Sequence, residues 1–254
     1  MRVKILGCSG GIGGALRTTA MLVDDDILID GGTGVGDLSL EELARIDHVF
    51  ITHSHLDHIA CIPLMIDSVA RLRSKPITLY ATVAVLRILQ GHIFNWLVWP
   101  DFSRIPDAHA PFMTYQAVAI GESIVLDGRT ITPVSAMHTV PAVGYHLDSG
   151  AASLVFSGDT TSQDALWDYL NGVENLRYLI IETAFAEEQQ GIAVASKHLH
   201  PSLLAKELAK LQRPAEIYVT HLKPGEDDEI MAEVGHHAGR YAPKILRNQQ
   251  IFEF

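Results

Sequence analysis

Cysteine is almost missing from this chain: Cys8 and Cys61 are the two thiols in 254 residues. They are far apart and neither sits in a C-x-x-C pair, so a disulfide framework is excluded and nothing suggests a redox site. Both read as buried small apolar residues. Long apolar runs are missing too. No stretch approaches the roughly 20 uninterrupted apolar residues that a membrane span needs. The opening MRVKILGCSGGIGG breaks into glycine after Ile5 and Leu6, without the apolar centre of a secretory signal. The mature chain is therefore expected to start at Met1, stay in the cytoplasm and have no membrane partner.

Basic charge is scarce: 19 Lys and Arg stand against 30 Asp and Glu, a net charge of −11. Tracking a long polyanion is the work of clustered Lys and Arg, so no long nucleic acid is expected as a partner. A small anion held by metal ions is still allowed. Tandem repeats, charge blocks and Ser/Gly/Pro-rich linkers are absent, and residues 1–254 read as a single domain. With 48% hydrophobic residues, that domain can bury a full core.

What is present alternates short β-rich runs with helical ones. RVKIL reads as a strand, TAMLV and ILID as a hairpin turning at Asp24–Asp26, and HVFIT as a continuous apolar strand. IPLMIDSVARLR has helical spacing and is stopped by Lys75-Pro76. Later, ITPVSAM and the two halves of AVGYHLDSGAASLVFSGD read as strands, SQDALWDYL as a helix, LRYLIIET and EIYVT as strands, and PSLLAKELAKL and EDDEIMAEVGHHA as helices. The class is α/β, with mixed sheets covered by helices.

After HVFIT comes HSHLDH, with His53, His55, Asp57 and His58 in six positions. A helix would scatter the adjacent pair Asp57 and His58 by roughly 100°, so the motif is placed on the loop between strand and helix. Four strong ligands are too many for one tetrahedral ion that also leaves a position open for water, and two ions sharing the loop fit better. Further ligands should come from rigid strand ends. His138 follows ITPVSAM, Asp159 follows SLVFSG and His221 follows EIYVT. Taken singly, a strand-end His is an ordinary surface residue, and Asp159 a cap for the helix that follows. The recurrence at four strand ends favours metal.

HSHLDH, AMHTV, SGDT and THLKP, in this order and together with LGCSGG and LIDGGTG, resemble the metallo-β-lactamase superfamily over nearly the whole chain. The resemblance implies an αββα sandwich, two mixed β-sheets flanked by helices, with a two-metal site at one edge. It implies that His53, His55 and His138 hold one ion, that Asp57, His58 and His221 hold the other, and that Asp159 bridges ions about 3.5–4 Å apart. Asp30, in LIDGG, would orient an imidazole from behind; it also suits a plain turn before two glycines. The expected cofactors are two divalent metal ions, zinc first, with manganese or iron as alternatives.

A cation pair lowers the pKa of a shared water and neutralises charge on a phosphoryl oxygen, so hydrolysis is the expected chemistry. ILQGHIFNWLVWPDFS, LIIETAF, ASKHLHPSLLAKEL and HSHLDHI further resemble the class II cyclic nucleotide phosphodiesterases, with departures at Cys61 and His200. That resemblance implies hydrolysis of 3′,5′-cyclic nucleotides to nucleoside 5′-monophosphates. RNA 3′-end cleavage or thioester hydrolysis at the same site is the alternative, and a binding module without turnover is the rival from another class. Asp57, His198 and Glu182 are the candidate catalytic residues. His198 either bonds a phosphate oxygen or protonates the departing 3′ oxygen, and Glu182 orients it. Phe94, Asn95, Trp99 and Thr139 are the expected substrate contacts, with an aromatic stacked on the base. The partner is a small nucleotide, and a homodimer is left open. A Ser-His-Asp mechanism lacks its GxSxG elbow, and no GxGxxG or GKS/T motif is present.

Overall fold

A computed structural model describes all 254 residues, Met1–Phe254. The first half of the chain supplies β1 (Arg2–Gly7), β2 (Ala20–Val23), β3 (Ile27–Ile29), β4 (His48–Phe50), β5 (Ile77–Ala81) and β6 (Met113–Ala117). The second supplies β7 (Ile124–Leu126), β8 (Arg129–Ser135), β9 (Val143–Asp148), β10 (Ser153–Phe156), β11 (Leu176–Glu182), β12 (Glu216–Thr220), β13 (Lys244–Ile245) and β14 (Ile251–Glu253). They form two seven-stranded sheets, ordered β14-β1-β2-β3-β4-β5-β6 and β13-β12-β11-β10-β9-β8-β7. Both are mixed. In the first, β14 to β3 pair antiparallel and β3 to β6 parallel; in the second, β7 to β10 pair antiparallel and β10 to β13 parallel.

Strand periodicity explains the layering. Along β2, Ala20 and Leu22 face one buried layer while Met21 and Val23 face another. The layer between the sheets joins Val3, Ile5, Ile29 and Phe50 to Tyr145, Leu147, Phe156 and Ile180. Phe50 stacks on Tyr80 at 4.3 Å and meets Tyr145 edge-on at 5.5 Å. The outer face of the first sheet packs against α1 (Leu40–Arg45), α2 (Leu56–Ile59), α3 (Ile62–Val69) and α4 (Val83–Ile88). That of the second packs against α5 (Ala165–Gly172), α7 (Pro201–Leu208) and α8 (Asp227–Ala238), with the short α6 (Gln190–Ser196) between α5 and α7 in the chain. Sheets buried on both faces read in sequence as continuous apolar runs, which is why the strands were legible.

Local chemistry sets the helix ends. Ser39 and Glu42 form a capping box for α1, and Thr82 caps α4. In α7, Pro201 fits the first turn and the carboxylate of Glu187 accepts the N–H and hydroxyl of Ser202 at 3.0 and 2.6 Å. Two expectations need correction, and one alternative falls. Asp57 and His58 lie in α2, not in a loop, because His55 in extended conformation serves as N-cap and the helix starts at Leu56. Cys8 and Cys61 are only partly buried; the Cys8 thiol contacts Asn248 Oδ1 at 3.3 Å. Asp159 caps no helix, since α5 begins after Asp164.

Candidate metal centre

Every residue of the cluster follows the C-terminal end of a strand. His53, His55, Asp57 and His58 follow β4, and His138, Asp159 and His221 follow β8, β10 and β12. Within each sheet these strands run in one direction, so their ends open at one edge of the sandwich. The Tyr145 hydroxyl bonds the Ile51 carbonyl at 3.0 Å and the Val143 N–H bonds the Thr52 carbonyl at 3.1 Å, which ties the sheets together beside the His53–His58 turn.

The seven side chains converge into two groups, His53–His55–His138–Asp159 and Asp57–His58–Asp159–His221, each with ligand atoms within 4.8 Å of one another. Asp159 belongs to both. Its Oδ2 lies 3.4 Å from Nε2 of His58 and of His221, 3.6 Å from Nε2 of His53 and 4.0 Å from Nε2 of His138. Asp57 Oδ2 is 3.7 Å from His221 Nε2, and His55 Nδ1 is 3.2 Å from His138 Nε2. Donors that share a zinc-sized tetrahedral ion stand roughly 3.3 Å apart, so the spacing fits cations.

The orphaned nitrogens make the same point. Nε2 of His53, His58 and His221 are buried and have no hydrogen-bond partner, a costly condition unless something else takes their lone pairs. Complete burial pulls His53 well below the ordinary imidazole value, and burial takes His138 to about 4 and His221 to about 3, so these rings stay neutral and able to ligate. Burial alone would raise Asp159, but His221, His58 and His53 together hold its carboxyl well below the ordinary range. His58 is also opposed by burial, yet Asp159 and Asp30 raise it well above the usual value.

Behind the donors, Asp30 Oδ2 accepts from His58 Nδ1 at 2.7 Å, and the Lys197 carbonyl lies 3.2 Å from His138 Nδ1. Three residues at the site adopt left-handed backbone, Asp30 (φ 56), Lys197 (φ 56) and His221 (φ 68), which is strain held there. The glycine-rich segments serve close approach. A Cβ on Gly10 would meet the His221 carbonyl at 2.5 Å, and one on Gly32 would meet the Asp57 carbonyl at 2.4 Å.

Beside the cluster, Glu182 and His198 form a buried pair, with Oε1 2.8 Å from Nδ1. The Glu182 carboxylate also accepts the N–H groups of Thr160 (2.9 Å) and Leu199 (3.2 Å), so it cannot turn away. Burial opposes charge on His198, but Glu182 more than compensates and leaves the ring above its ordinary value; Glu182 is itself pushed up by complete burial. The His198 ring stacks on His221 at 5.1 Å and lies 4.8 Å from His138.

The expected substrate contacts divide. Thr139 is exposed immediately beyond His138. Phe94, Asn95 and Trp99 are elsewhere: Met113 and Ile77, the first residues of β6 and β5, bond the carbonyls of Phe102 and Phe112, so this segment is pinned at the end of the sheet away from HSHLDH. Phe94 is 2% exposed in the first outer core, Trp99 packs against it, and the Asn95 amide is consumed by the turn it shares with Gly91, Leu97 and Val98. The aromatic that does reach the site is Phe185, 5.8 Å from His198 with Lys223 Nζ 5.3 Å from its ring. Sequence reading passed over it, and over Thr52, although each sits within three residues of a singled-out residue.

Asp26, Asp47 and His48 form a third compact group, at the start of β4. Its carboxylates are paired with Arg129, Arg73 and Lys75, and His48 Nδ1 is 3.1 Å from the Tyr80 hydroxyl, so no metal is assigned there.

A family model described as "Beta-lactamase superfamily domain" matches residues 26–222. A Yersinia pestis protein named "Probable 3',5'-cyclic-nucleotide phosphodiesterase" is 27% identical over 205 residues, 70% of this chain and 57% of that one. Ribonuclease Z of Bradyrhizobium diazoefficiens is 26% identical, over 98% of this chain and 96% of its own. The crystal structure of unliganded yeast PDE1 superposes with a TM-score of 0.80 at 20% identity, over 98% of both chains. No helix is long and apolar enough to cross a membrane. With the family match extending through most of the chain and the two-sheet sandwich carrying a His/Asp cluster able to bind metal ions, the chain belongs to the β-lactamase superfamily as a hydrolase of the metallo-β-lactamase fold.

Proposed function

We propose that the protein is a dinuclear-metal phosphodiesterase that hydrolyses 3′,5′-cyclic nucleotides to nucleoside 5′-monophosphates. The observation that carries this reading is the sharing of Asp159 by two groups of metal donors, directly beside the Glu182–His198 pair. One cation would be held by His53, His55, His138 and Asp159, the other by Asp57, His58, His221 and Asp159. Zinc is the first choice, since neutral imidazoles and carboxylates suit it, and manganese or iron fit the same donors. When bound, such a pair supplies an acidified water at neutral pH and offsets charge on the phosphoryl oxygens.

The chain's own groups account for the rest. His198 has Nδ1 committed to Glu182, which leaves Nε2 to carry a proton to the departing 3′ oxygen. Burial opposes charge on that ring, but Glu182 outweighs it and raises the basicity, which favours the proton-bearing form. Thr139, on the open side of His138, is the proposed contact for the sugar or phosphate, and Phe185 replaces Phe94 and Trp99 as the aromatic neighbour of the reacting groups. Both cysteines are free, which suits the reducing cytoplasm proposed as its compartment.

RNA 3′-end cleavage is the second reading, favoured by the near full-length match to a ribonuclease Z. Against it stands the charge: the net value is −11, and Lys197 and Lys223, the cations beside His198, spend their Nζ groups on the carbonyls of His138 and Gly10 at 3.0 Å. The deciding measurement incubates zinc- and manganese-loaded protein with cyclic AMP, cyclic GMP and a precursor transfer RNA and separates the products. Release of 5′-monophosphate from a cyclic nucleotide is expected. RNA trimming with the cyclic nucleotides returned intact would reverse the order of the two readings.

A further inference from the structure

An imidazole that binds a cation through Nε2 must carry its proton on Nδ1, and something must hold it there. In His58 that is Asp30. His53 is the less obvious case, because no carboxylate or carbonyl reaches its Nδ1. Its one partner is the hydroxyl of Thr52, 3.0 Å away. The same hydroxyl lies 2.8 Å from Asp30 Oδ2, while Asp30 Oδ1 accepts the Thr52 N–H at 2.8 Å. Three donors thus face the two oxygens of one carboxylate, in a pocket where Asp30, Thr52, His53 and His58 are all fully buried.

Proton counting then fixes the direction. A hydroxyl has one hydrogen, and next to an acceptor-only carboxylate it donates there. Its oxygen is left to accept, so the Nδ1 of His53 must be the donor and its Nε2 must be bare. The orphaned Nε2 atoms of His53 and His58 agree with that assignment. His53 and His58 belong to different groups of donors, and Asp159 is the member they share.

We propose that Thr52 is a positioning residue through which Asp30 fixes the tautomer of His53 as well as that of His58, so that one buried carboxylate prepares a ligand for each of the two cations. The proposal rests on the metal-centre reading only in taking these imidazoles as donors. It adds an asymmetry: the Thr52 hydroxyl is 3.0 Å from His53 Nδ1 but 3.4 Å from His58 Nδ1, which already has Asp30 at 2.7 Å, so Thr52 serves chiefly the His53 group, and Asp30 serves both.

The test is a metal titration of apo wild type, Thr52→Val, Thr52→Ser and Asp30→Asn with zinc against a competing chelator, together with ¹⁵N spectra of the imidazole rings. Valine keeps the shape of threonine and removes the hydroxyl. Wild type is expected to bind two equivalents and to show His53 protonated at Nδ1. Thr52→Val should weaken one equivalent by about 10–100-fold, leave the other unchanged and mix the His53 tautomers. Thr52→Ser should restore both readouts, and Asp30→Asn should weaken both equivalents. A Thr52→Val protein that binds both equivalents as wild type does, or loses both alike, overturns the relay. Wild type that takes up no metal overturns the metal-centre reading and the relay with it, a result told apart by appearing in the unmutated protein.

Discussion

Asp159 sits where four imidazole nitrogens converge within 4.0 Å of a single oxygen, and the chain offers no other acid that belongs to both groups. Asp159→Ala should therefore remove both cations and lower turnover by at least about 100-fold, since even partners one step behind a ligand are worth 10–100-fold in affinity. Metal content after gel filtration and hydrolysis of cyclic AMP check it, and a variant keeping two metals and full rate would contradict the ligand set. His198 is expected to behave differently. It touches ligands without being one, so His198→Asn should keep both metals while slowing turnover about 10²–10⁴-fold, the usual range for a proton donor. Glu187 provides a pH-dependent case away from the cluster. Partial burial would raise its carboxyl, but Ser202 and His200 outweigh that and hold it at about 2 against an ordinary 4.5. A depressed acid stabilises the fold above its unfolded value and loses that contribution as pH falls toward the folded one. Metal-free protein should accordingly lose urea resistance between pH 4.5 and about 2, and Glu187→Gln should flatten the slope in that window.

At the scale of elements, the β5–α4–β6 crossover decides what the aromatic segment does. The chain leaves β5 at the metal edge, runs through α4 and must return to the opposite edge to begin β6 parallel to β5, which carries residues 94–112 away from the chemistry. Phe94→Ala should then cost about 3–5 kcal/mol of stability, as a buried aromatic in a packed layer does, with KM unchanged. Denaturation midpoints and steady-state kinetics on the same sample separate the two effects; a raised KM at wild-type stability would put the segment back beside the substrate. The strands around the metal edge were readable because apolar runs ending in His or Asp mark both burial and the point where it stops. Short edge strands such as β7, β13 and β14 carry no such signal, since two or three residues are too few for a period to show.

At the scale of the whole molecule, folding without cations forces five imidazoles and two carboxylates together with several buried nitrogens unpaired. Cations that bind only the folded state add stability by mass action, about 2.7 kcal/mol at one hundred times the dissociation constant. Chelation should thus lower the melting temperature and zinc should restore it in proportion to the logarithm of its free concentration, measured by calorimetry. Identical melting curves with and without metal would argue that the cluster holds none.

The amino-acid order by itself marked the candidate donors that the fold then gathers into two groups able to hold a metal ion. HSHLDH packs four ligands into six residues, and His138, Asp159 and His221 each close an apolar run, so composition and local order were enough to name all seven. Asp159 as the shared member and Glu182 behind His198 were expected from the resemblance; what only the tertiary structure decided is the distances that bring them together, that Thr52 links Asp30 to His53, that Phe185 reaches His198, and that an aromatic run expected over the substrate lies at the far end of a sheet. The reason is physical. A ligand's identity is a property of its own side chain, whereas its neighbours are fixed by strand direction, crossover and register, which no local pattern encodes.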